Sequence, residues 1–325
     1  MEEQVFQNRV DLSGLQQAVT DIKREVNKII VGQDDMIELL IAAILADGHV
    51  LIEGVPGVAK TLSAKLLART MKVGFSRIQF TPDLMPSDII GTSIFNLKTS
   101  DFEFKQGPLF SNIVLIDEIN RAPAKTQSAL FEAMEERQIT VDGKTYPLAP
   151  PFIVLATQNP VEQEGTYRLP EAQLDRFLFK IEVDYPKLED ETKIIADYHA
   201  RKNAIDINSV EGVMNASEVK NYREKVGSIH IDANLISYIA KIVNQTRNNS
   251  SLYLGASPRA SLAILTSSKA IAAMRGRDFV TPDDIKFVAT HVLKHRVILT
   301  PEKEMEGITT KDVIKGIIEK IEVPR

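Results

Sequence analysis

A glycine-rich segment has the residue types and spacing of a phosphate-binding loop: Gly54-Val55-Pro56-Gly57-Val58-Ala59-Lys60-Thr61. Glycines let backbone N–H groups curl around a phosphate, and the N-terminus of a following helix adds its positive end. Lys60 can reach the outer phosphates, and the Thr61 hydroxyl is a ligand for Mg²⁺. The strict pattern has glycine in place of Ala59, which we expect to open the helix in a right-handed conformation at little cost. The alternative is a glycine-rich turn that happens to precede Lys-Thr.

Two carboxylates end a second apolar segment, Asn112-Ile113-Val114-Leu115-Ile116-Asp117-Glu118. A fully apolar run of this length is typical of a buried strand in a parallel sheet, and such sheets bind ligands at the carboxyl ends of their strands. We expect Asp117 to hold a magnesium ion and Glu118 to polarise the water that attacks the γ-phosphate. The alternative is an ordinary strand with a polar end.

Another apolar run, Ile153 to Ala156, leads to Asn159, followed by Pro160. The Asn159 amide would lie beside the Asp117 strand end, where it can orient the attacking water or touch the γ-phosphate. The competing interpretation is a turn residue before proline.

Two arginines are candidates for phosphate contacts outside the loop. Arg176 stands in a turn before the apolar run Phe177–Val183, from which it could reach a neighbouring subunit's γ-phosphate. The alternative is a salt bridge with Asp175 or Glu171. Arg259 follows Ser257-Pro258 at the start of a helix, where a cation opposes the helix dipole. A phosphate would relieve that misfit, so Arg259 is a candidate for reporting the nucleotide state to the helical domain; the alternative is a tolerated surface arginine.

Composition restricts the class of protein. The chain has 325 residues, 44% hydrophobic and 26% charged, which predicts a soluble globular protein of two domains. There is no cysteine, and the acidic N-terminus has no signal-peptide pattern, so we expect a cytoplasmic protein outside the membrane. With 39 basic and 44 acidic residues the net charge is −5, which gives no support to nucleic-acid binding.

Strand and helix patterns alternate through the first half of the chain. Two helices are predicted over 11–30 and 33–47, then strands and helices at 49–53, 60–71, 74–80, 113–117, 123–136 and 152–157. This alternation predicts an α/β fold: a parallel sheet flanked by helices. Residues 92–110 and 138–147 interrupt it as insertions of short strands, and Asp142-Gly143 is a strong hairpin signal in the second.

The strand pattern stops after Pro186. From Glu189 onward we predict helices only, near 189–202, 217–226, 232–248, 258–275 and 282–296, the last opened by Thr281 as N-cap and Pro282. We place the domain boundary at Pro186-Lys187, which gives a core of 1–186 and a smaller all-α lid of 187–325. Binding of ATP is expected to draw the two together across this hinge.

Taken in order, these segments resemble the AAA+ ATPases, specifically the MoxR family, over nearly the whole chain. The resembling residues are Gly54–Thr61, Asp117–Pro123, Ala156–Pro160, Glu171–Phe177 and Ser257–Ala260. The resemblance implies Walker A at Gly54–Thr61 with Leu62 beside it, Walker B at Asp117 and Glu118, sensor 1 at Asn159, an arginine finger at Arg176 and sensor 2 at Arg259. It implies adenine contacts at Val31, Gly32 and Gln33, and insertions that face a central pore.

The resemblance further implies a homo-oligomeric ring, usually a hexamer, that uses ATP and Mg²⁺ for chaperone-like remodelling or metal-cofactor insertion with a von Willebrand factor A-type partner protein. Two other functions stay open. One is a nucleic-acid motor or loader of the same clade, which the acidic charge disfavours. The other is a scaffold that binds ATP and hydrolyses it poorly, which the set of Lys60, Asp117, Glu118, Asn159 and Arg176 disfavours. Arg168 and Arg121 are the other candidates for the finger.

Overall fold

The computed structural model describes residues 10–159, 169–200 and 206–324. Arg168, an alternative finger, and Pro160 lie outside the described residues. The elements of the core, in chain order, are α1 (Ser13–Asn27), α2 (Asp34–Leu45), β1 (His49–Gly54), α3 (Lys60–Thr70), β2 (Phe75–Gln79), α4 (Pro86–Ile90), β3 (Gly91–Asn96), β4 (Asp101–Gln106), β5 (Ile113–Asp117), α5 (Ala124–Glu136), β6 (Gln138–Val141), β7 (Lys144–Pro147), β8 (Ile153–Gln158), α6 (Glu171–Leu174) and β9 (Phe177–Val183).

Five of the strands form one parallel sheet, in the order β2-β5-β8-β1-β9. Successive side chains of a strand point to opposite faces of the sheet, so an apolar strand contributes to the hydrophobic clusters on both faces. In β5, Ile113 and Leu115 join the core on one face, whereas Val114 and Ile116 join the core on the other. The apolar segments that the sequence singled out are therefore buried strands, and the predicted parallel sheet flanked by helices is confirmed.

Both insertions are antiparallel hairpins, β3–β4 and β6–β7. The Asp142-Gly143 turn has positive φ at both residues, 52° and 73°, as a two-residue hairpin turn requires. The two hairpins contact each other: Ser93 donates a hydrogen bond to Asp142 at 2.6 Å, and the rings of Phe104 and Tyr146 stack with centroids 4.5 Å apart. They form one projecting unit rather than two separate loops.

The elements that follow Pro186-Lys187, where we predict the lid to begin, are mostly helical: α7 (Leu188–Ala200), α8 (Ala216–Gly227), α9 (Ala233–Arg247), β10 (Leu252–Leu254), α10 (Pro258–Met274), α11 (Pro282–Leu293), β11 (Ile298–Leu299), α12 (Pro301–Met305) and α13 (Thr310–Lys320). Thr281 caps α11 in a capping box with Asp284, as its sequence predicts. The prediction of helices only was wrong, because β10 and β11 pair as a small antiparallel sheet. Two short, separated segments such as these carry too little periodicity to be recognised as strands.

The lid shares a hydrophobic core with the first part of the chain. Buried residues of α1, α2 and α3 belong to the same cluster as those of α10 and α11, among them Leu15, Leu40, Leu66, Ile271 and Val288. Among the described residues, no helix is both long and apolar enough to cross a membrane.

Candidate functional site

The glycine-rich segment is the turn between β1 and α3, and its backbone fits a phosphate cradle. Gly57 has φ of +87°, and a side chain at Gly54 would come within 2.5 Å of the Val183 carbonyl on the neighbouring strand. Ala59 has φ of 59°, so the expectation that it is right-handed was wrong. A left-handed conformation suits glycine and is costly for alanine. The strict pattern has glycine here because the loop must turn back into the helix at this residue.

Lys60 begins α3 and points back over the loop. Its Nζ donates a hydrogen bond of 2.6 Å to the Gly54 carbonyl. Burial lowers the pKa of Lys60, and the nearby carboxylates of Asp117 and Glu118 act in the opposite direction. The ammonium group is thus bound to the loop and lies within the electrostatic influence of both acids.

Asp117 and Glu118 leave the carboxyl end of β5 as predicted, and Thr157 on the adjacent strand β8 connects them. The Thr157 hydroxyl donates to Asp117 Oδ1 at 3.1 Å and accepts the backbone N–H of Glu118 at 3.1 Å. Glu118 itself is left-handed, with φ of 57°. A non-glycine residue keeps such a conformation only where its surroundings impose it. Thr157 therefore fixes the direction in which both carboxylates leave the strand.

The edge strand β2 supplies partners for both acids. Arg77 donates to Asp117 Oδ2 at 2.6 Å, and Gln79 donates to Glu118 Oε2 at 2.7 Å. Arg121 also pairs with Glu118, at 2.9 Å. Arg121, an alternative finger, is thus engaged with an acid of its own chain. Sequence reasoning missed the roles of Arg77 and Gln79 because they depend on strand order, although the spacing of Arg77 and Gln79 two residues apart, on one face of a strand, was a signal.

Asn159 follows β8, which lies between β1 and β5 in the sheet. The structure therefore brings Lys60, Asp117, Glu118 and Asn159 to one edge of three adjacent strands. The Thr61 hydroxyl and the Asp117 carboxylate supply hard oxygen donors of the kind that Mg²⁺ prefers, so these residues fit the metal that the sequence predicts. Such an edge, at the carboxyl ends of parallel strands, is where open α/β sheets bind ligands.

Val31, Gly32 and Gln33 lie between α1 and α2, where Gly32 and Gln33 line a cleft of about 710 Å³. Gly32 has φ of +74°, and a side chain there would meet Asp190 at 2.7 Å. The cleft is closed on its other sides by the end of β9, the Pro186-Lys187 linker and lid helix α11. Its position beside the phosphate-binding loop suits the base of a nucleotide.

Arg176 and Arg259 lie at the amino edge of the sheet, by which we mean the side where its parallel strands begin. The phosphate-binding loop lies at the carboxyl edge, where these strands end. Arg176 directly precedes β9, and the first residue of that strand, Phe177, pairs with His49 at the start of β1, whereas the phosphate-binding loop follows the end of β1. At about 3.3 Å per residue, the strand separates the two edges by roughly 17 Å. Neither arginine reaches the loop of its own chain in this arrangement.

One carboxylate, that of Glu135 on α5, binds both arginines. Its Oε2 lies 3.0 Å from Arg176 and its Oε1 lies 2.8 Å from Arg259. Arg176 also donates to the Phe131 carbonyl at 2.8 Å and lies over the Phe131 ring. The misfit of Arg259 with its helix dipole is thus relieved by an acid of the same chain, which sequence reasoning missed because Glu135 lies far from both arginines along the chain.

Asp175 ties the turn that carries Arg176 to the helix that carries Arg259. Ser257 donates to Asp175 Oδ2 at 2.9 Å, and the buried Arg296 donates to Oδ1 at 2.7 Å. Arg296 also donates to the Phe177 carbonyl at 2.6 Å. These bonds hold the start of α10 where the strands of the sheet begin, away from the phosphate-binding loop of the same chain, and the closure at Pro186-Lys187 stays a prediction.

Comparison with known proteins agrees with this geometry. Residues 49–179 match the family model of the ATPase family associated with various cellular activities (AAA), and residues 244–317 match that of the AAA lid domain. A solved structure from Cytophaga hutchinsonii superimposes with a TM-score of 0.89 at 45% identity, covering 95% of this chain and 96% of that one.

Two curated relatives also cover most of the chain. The protein named chaperone MoxR1 of Mycobacterium tuberculosis is 43% identical over 93% of this chain and 81% of its own length. The uncharacterized protein YeaC of Bacillus subtilis is 47% identical over 92% of both chains.

Proposed function

Because this chain belongs to the MoxR family of AAA+ ATPases, we propose that it binds ATP with Mg²⁺ at the carboxyl edge of its sheet and hydrolyses it to ADP and phosphate. The observation that carries the proposal is the convergence of Lys60, Asp117, Glu118 and Asn159 on adjacent strand ends. Phosphoryl transfer needs a cradle, a metal ligand and a group that orients water, and these residues supply them.

Each residue has a distinct role in this proposal. Lys60 exchanges its bond to the loop carbonyl for the outer phosphates, and the backbone N–H groups of Gly57–Thr61 bind the remaining phosphate oxygens. Mg²⁺, held by Thr61 and Asp117, neutralises charge on the phosphates when bound. Glu118, whose backbone N–H is bound by the Thr157 hydroxyl, accepts a hydrogen bond from the attacking water and so polarises it, and Asn159 orients that water.

Arg176 and Arg259 act on a neighbouring subunit in this proposal. Both lie at the amino edge of the sheet, remote from the phosphate-binding loop of their own chain. If the arginines of each subunit contact the ATP bound by the next subunit, the subunits form a head-to-tail ring. The charge of an arginine finger stabilises the transition state of the neighbour's ATP. A hexamer is the ring size that the family resemblance suggests.

Remodelling of partner proteins is the use of ATP that we propose, in a chaperone-like manner or for metal-cofactor insertion with a von Willebrand factor A-type partner. The name of the M. tuberculosis relative supports the chaperone assignment. The projecting β3–β4 hairpin supports it too, because its tip exposes Phe95, Leu97 and Phe102. Exposed apolar groups of this kind suit a polypeptide client better than a phosphate backbone.

A steady-state ATPase assay with Mg²⁺, with and without single-stranded DNA, tests the proposal against its competitors. Turnover that DNA does not stimulate supports a protein remodeller, whereas strong stimulation by DNA would support a nucleic-acid motor. ATP binding without turnover would support a scaffold.

Two variants divide binding from hydrolysis in that assay. Lys60→Ala should weaken ATP binding about tenfold or more, since it removes a charged donor from the phosphates. Glu118→Gln should bind ATP as the parent does and lose about 10²–10⁴ in kcat, since an amide cannot polarise the water. Lys65→Ala, an exposed lysine on the same helix, is the matched control and should change neither quantity. Parent-like turnover in Glu118→Gln would contradict the assignment.

A further inference from the structure

Glu135 connects the two arginines that the proposed function assigns to a neighbour's phosphates. Each of its carboxylate oxygens forms an ion pair with one guanidinium group, so Arg176 and Arg259 contact the same carboxylate. The three side chains line one cleft of about 310 Å³ on the amino edge of the sheet. Two guanidinium groups arranged around a carboxylate offer the same donors that a terminal phosphate would accept.

We propose that Glu135 occupies the place of the neighbour's γ-phosphate: its carboxylate pairs with Arg176 and Arg259 in the free subunit and gives way when an ATP-loaded subunit docks. This inference rests on the proposed function. Glu135 is then a regulator of assembly: its carboxylate competes with the incoming phosphate for both arginines.

The surroundings make Glu135 displaceable. The side chains of Glu135 and Arg259 are 40% and 53% exposed, and solvent screens ion pairs of this kind strongly. A terminal phosphate carries more charge than a carboxylate and has three acceptor oxygens, so it outcompetes Glu135 at the same donors.

Other bonds keep the arginines in place once Glu135 releases them. The Phe131 carbonyl and ring hold the Arg176 guanidinium from α5. On the lid side, the bond of Ser257 to Asp175 fixes the start of α10. The Arg176 guanidinium and the helix start that carries Arg259 are therefore held without Glu135, so Glu135 chiefly affects how readily the two arginines engage.

Glu135→Gln tests this inference because it keeps the size of the side chain and removes its charge. Sedimentation velocity with a non-hydrolysable ATP analogue measures assembly over a range of protein concentrations, and steady-state ATPase is measured over the same range. We expect the concentration of half-maximal assembly, and that of half-maximal specific activity, to fall about three- to tenfold, since two screened ion pairs no longer compete. The kcat at saturating protein should stay within about twofold of the parent.

Glu136→Gln is the matched control, because Glu136 is the next, exposed residue of α5 and takes no part in the pairs with Arg176 and Arg259. In an Arg176→Ala, Arg259→Ala background the effect of Glu135→Gln should vanish. Unchanged midpoints in Glu135→Gln would overturn the inference, and so would a large loss of kcat at unchanged midpoints, which would make Glu135 a brace for the arginines. A parent that assembles but does not turn over ATP would refute the proposed function, while the assembly midpoints would still decide the role of Glu135.

Discussion

The charged side chains of the site each have a partner within the chain. Lys60 donates to a loop carbonyl, Asp117 pairs with Arg77, and Glu118 pairs with Arg121. Partly buried charges need such partners, since an unpaired charge away from water is costly. In the proposed function, ATP and its metal would therefore exchange one set of partners for another, which keeps the net cost of binding low and the side chains oriented beforehand.

The orientation of Asp117 and Glu118 depends on Thr157, and a substitution of Thr157 tests this dependence. Thr157→Val removes the hydroxyl while keeping the shape, which leaves Asp117 Oδ1 and the Glu118 N–H each without this bond. We expect a loss of about 1–3 kcal/mol in the free energy of unfolding, measured by urea denaturation, since buried polar groups lose a partner. We also expect kcat to fall while the Kd for ATP changes little.

Thr157→Ser is the control for that prediction, because it restores the hydroxyl and removes only a methyl group. Its kcat should approach that of the parent. A Thr157→Val variant with parental kcat would mean that Glu118 is oriented by other contacts, such as that with Gln79.

At the scale of elements, the sequence predicted what is local and missed what depends on packing. The glycine-rich turn and the acids that end β5 are recognisable because the chemistry of each lies in consecutive residues. The left-handed Ala59 was missed because its conformation is imposed by closure of the loop onto α3. The partnership of Arg176 with Arg259 was missed because it depends on strand order and on where the lid packs.

Ala59→Gly tests whether the left-handed backbone at position 59 of the phosphate-binding loop is strained. Glycine adopts the left-handed conformation without a steric penalty, so we expect the variant to gain about 0.5–1 kcal/mol in the free energy of unfolding. Ala129→Gly, in the right-handed interior of α5, should lose about the same amount or more. Thermal or urea unfolding measures both. A loss in both variants would show that the methyl group of Ala59 makes contacts worth more than its backbone strain.

At the scale of the whole molecule, the two ends of the sheet carry what we propose to be complementary halves of one site. The carboxyl edge has the phosphate-binding loop with Asp117 and Glu118, and the amino edge has Arg176 and Arg259. Because the two halves face opposite ways, a single chain cannot join them, whereas a closed head-to-tail ring joins every pair. Activity should accordingly depend on protein concentration.

Mixing two inactive variants tests this arrangement directly. Glu118→Gln lacks the group that activates water but keeps its arginines, and Arg176→Ala keeps a complete site but lacks the finger, with an expected loss of about 10³ or more in rate. In a ring of equal parts, about a quarter of the interfaces would combine an intact Glu118 with an intact neighbouring Arg176, so part of the activity should return. A mixture of Glu118→Gln with Lys60→Ala should stay inactive, because every site in it lacks an essential group. If variants that co-assemble by sedimentation restore no activity, Arg176 is only a salt-bridge residue, and the finger is Arg168 or Arg121.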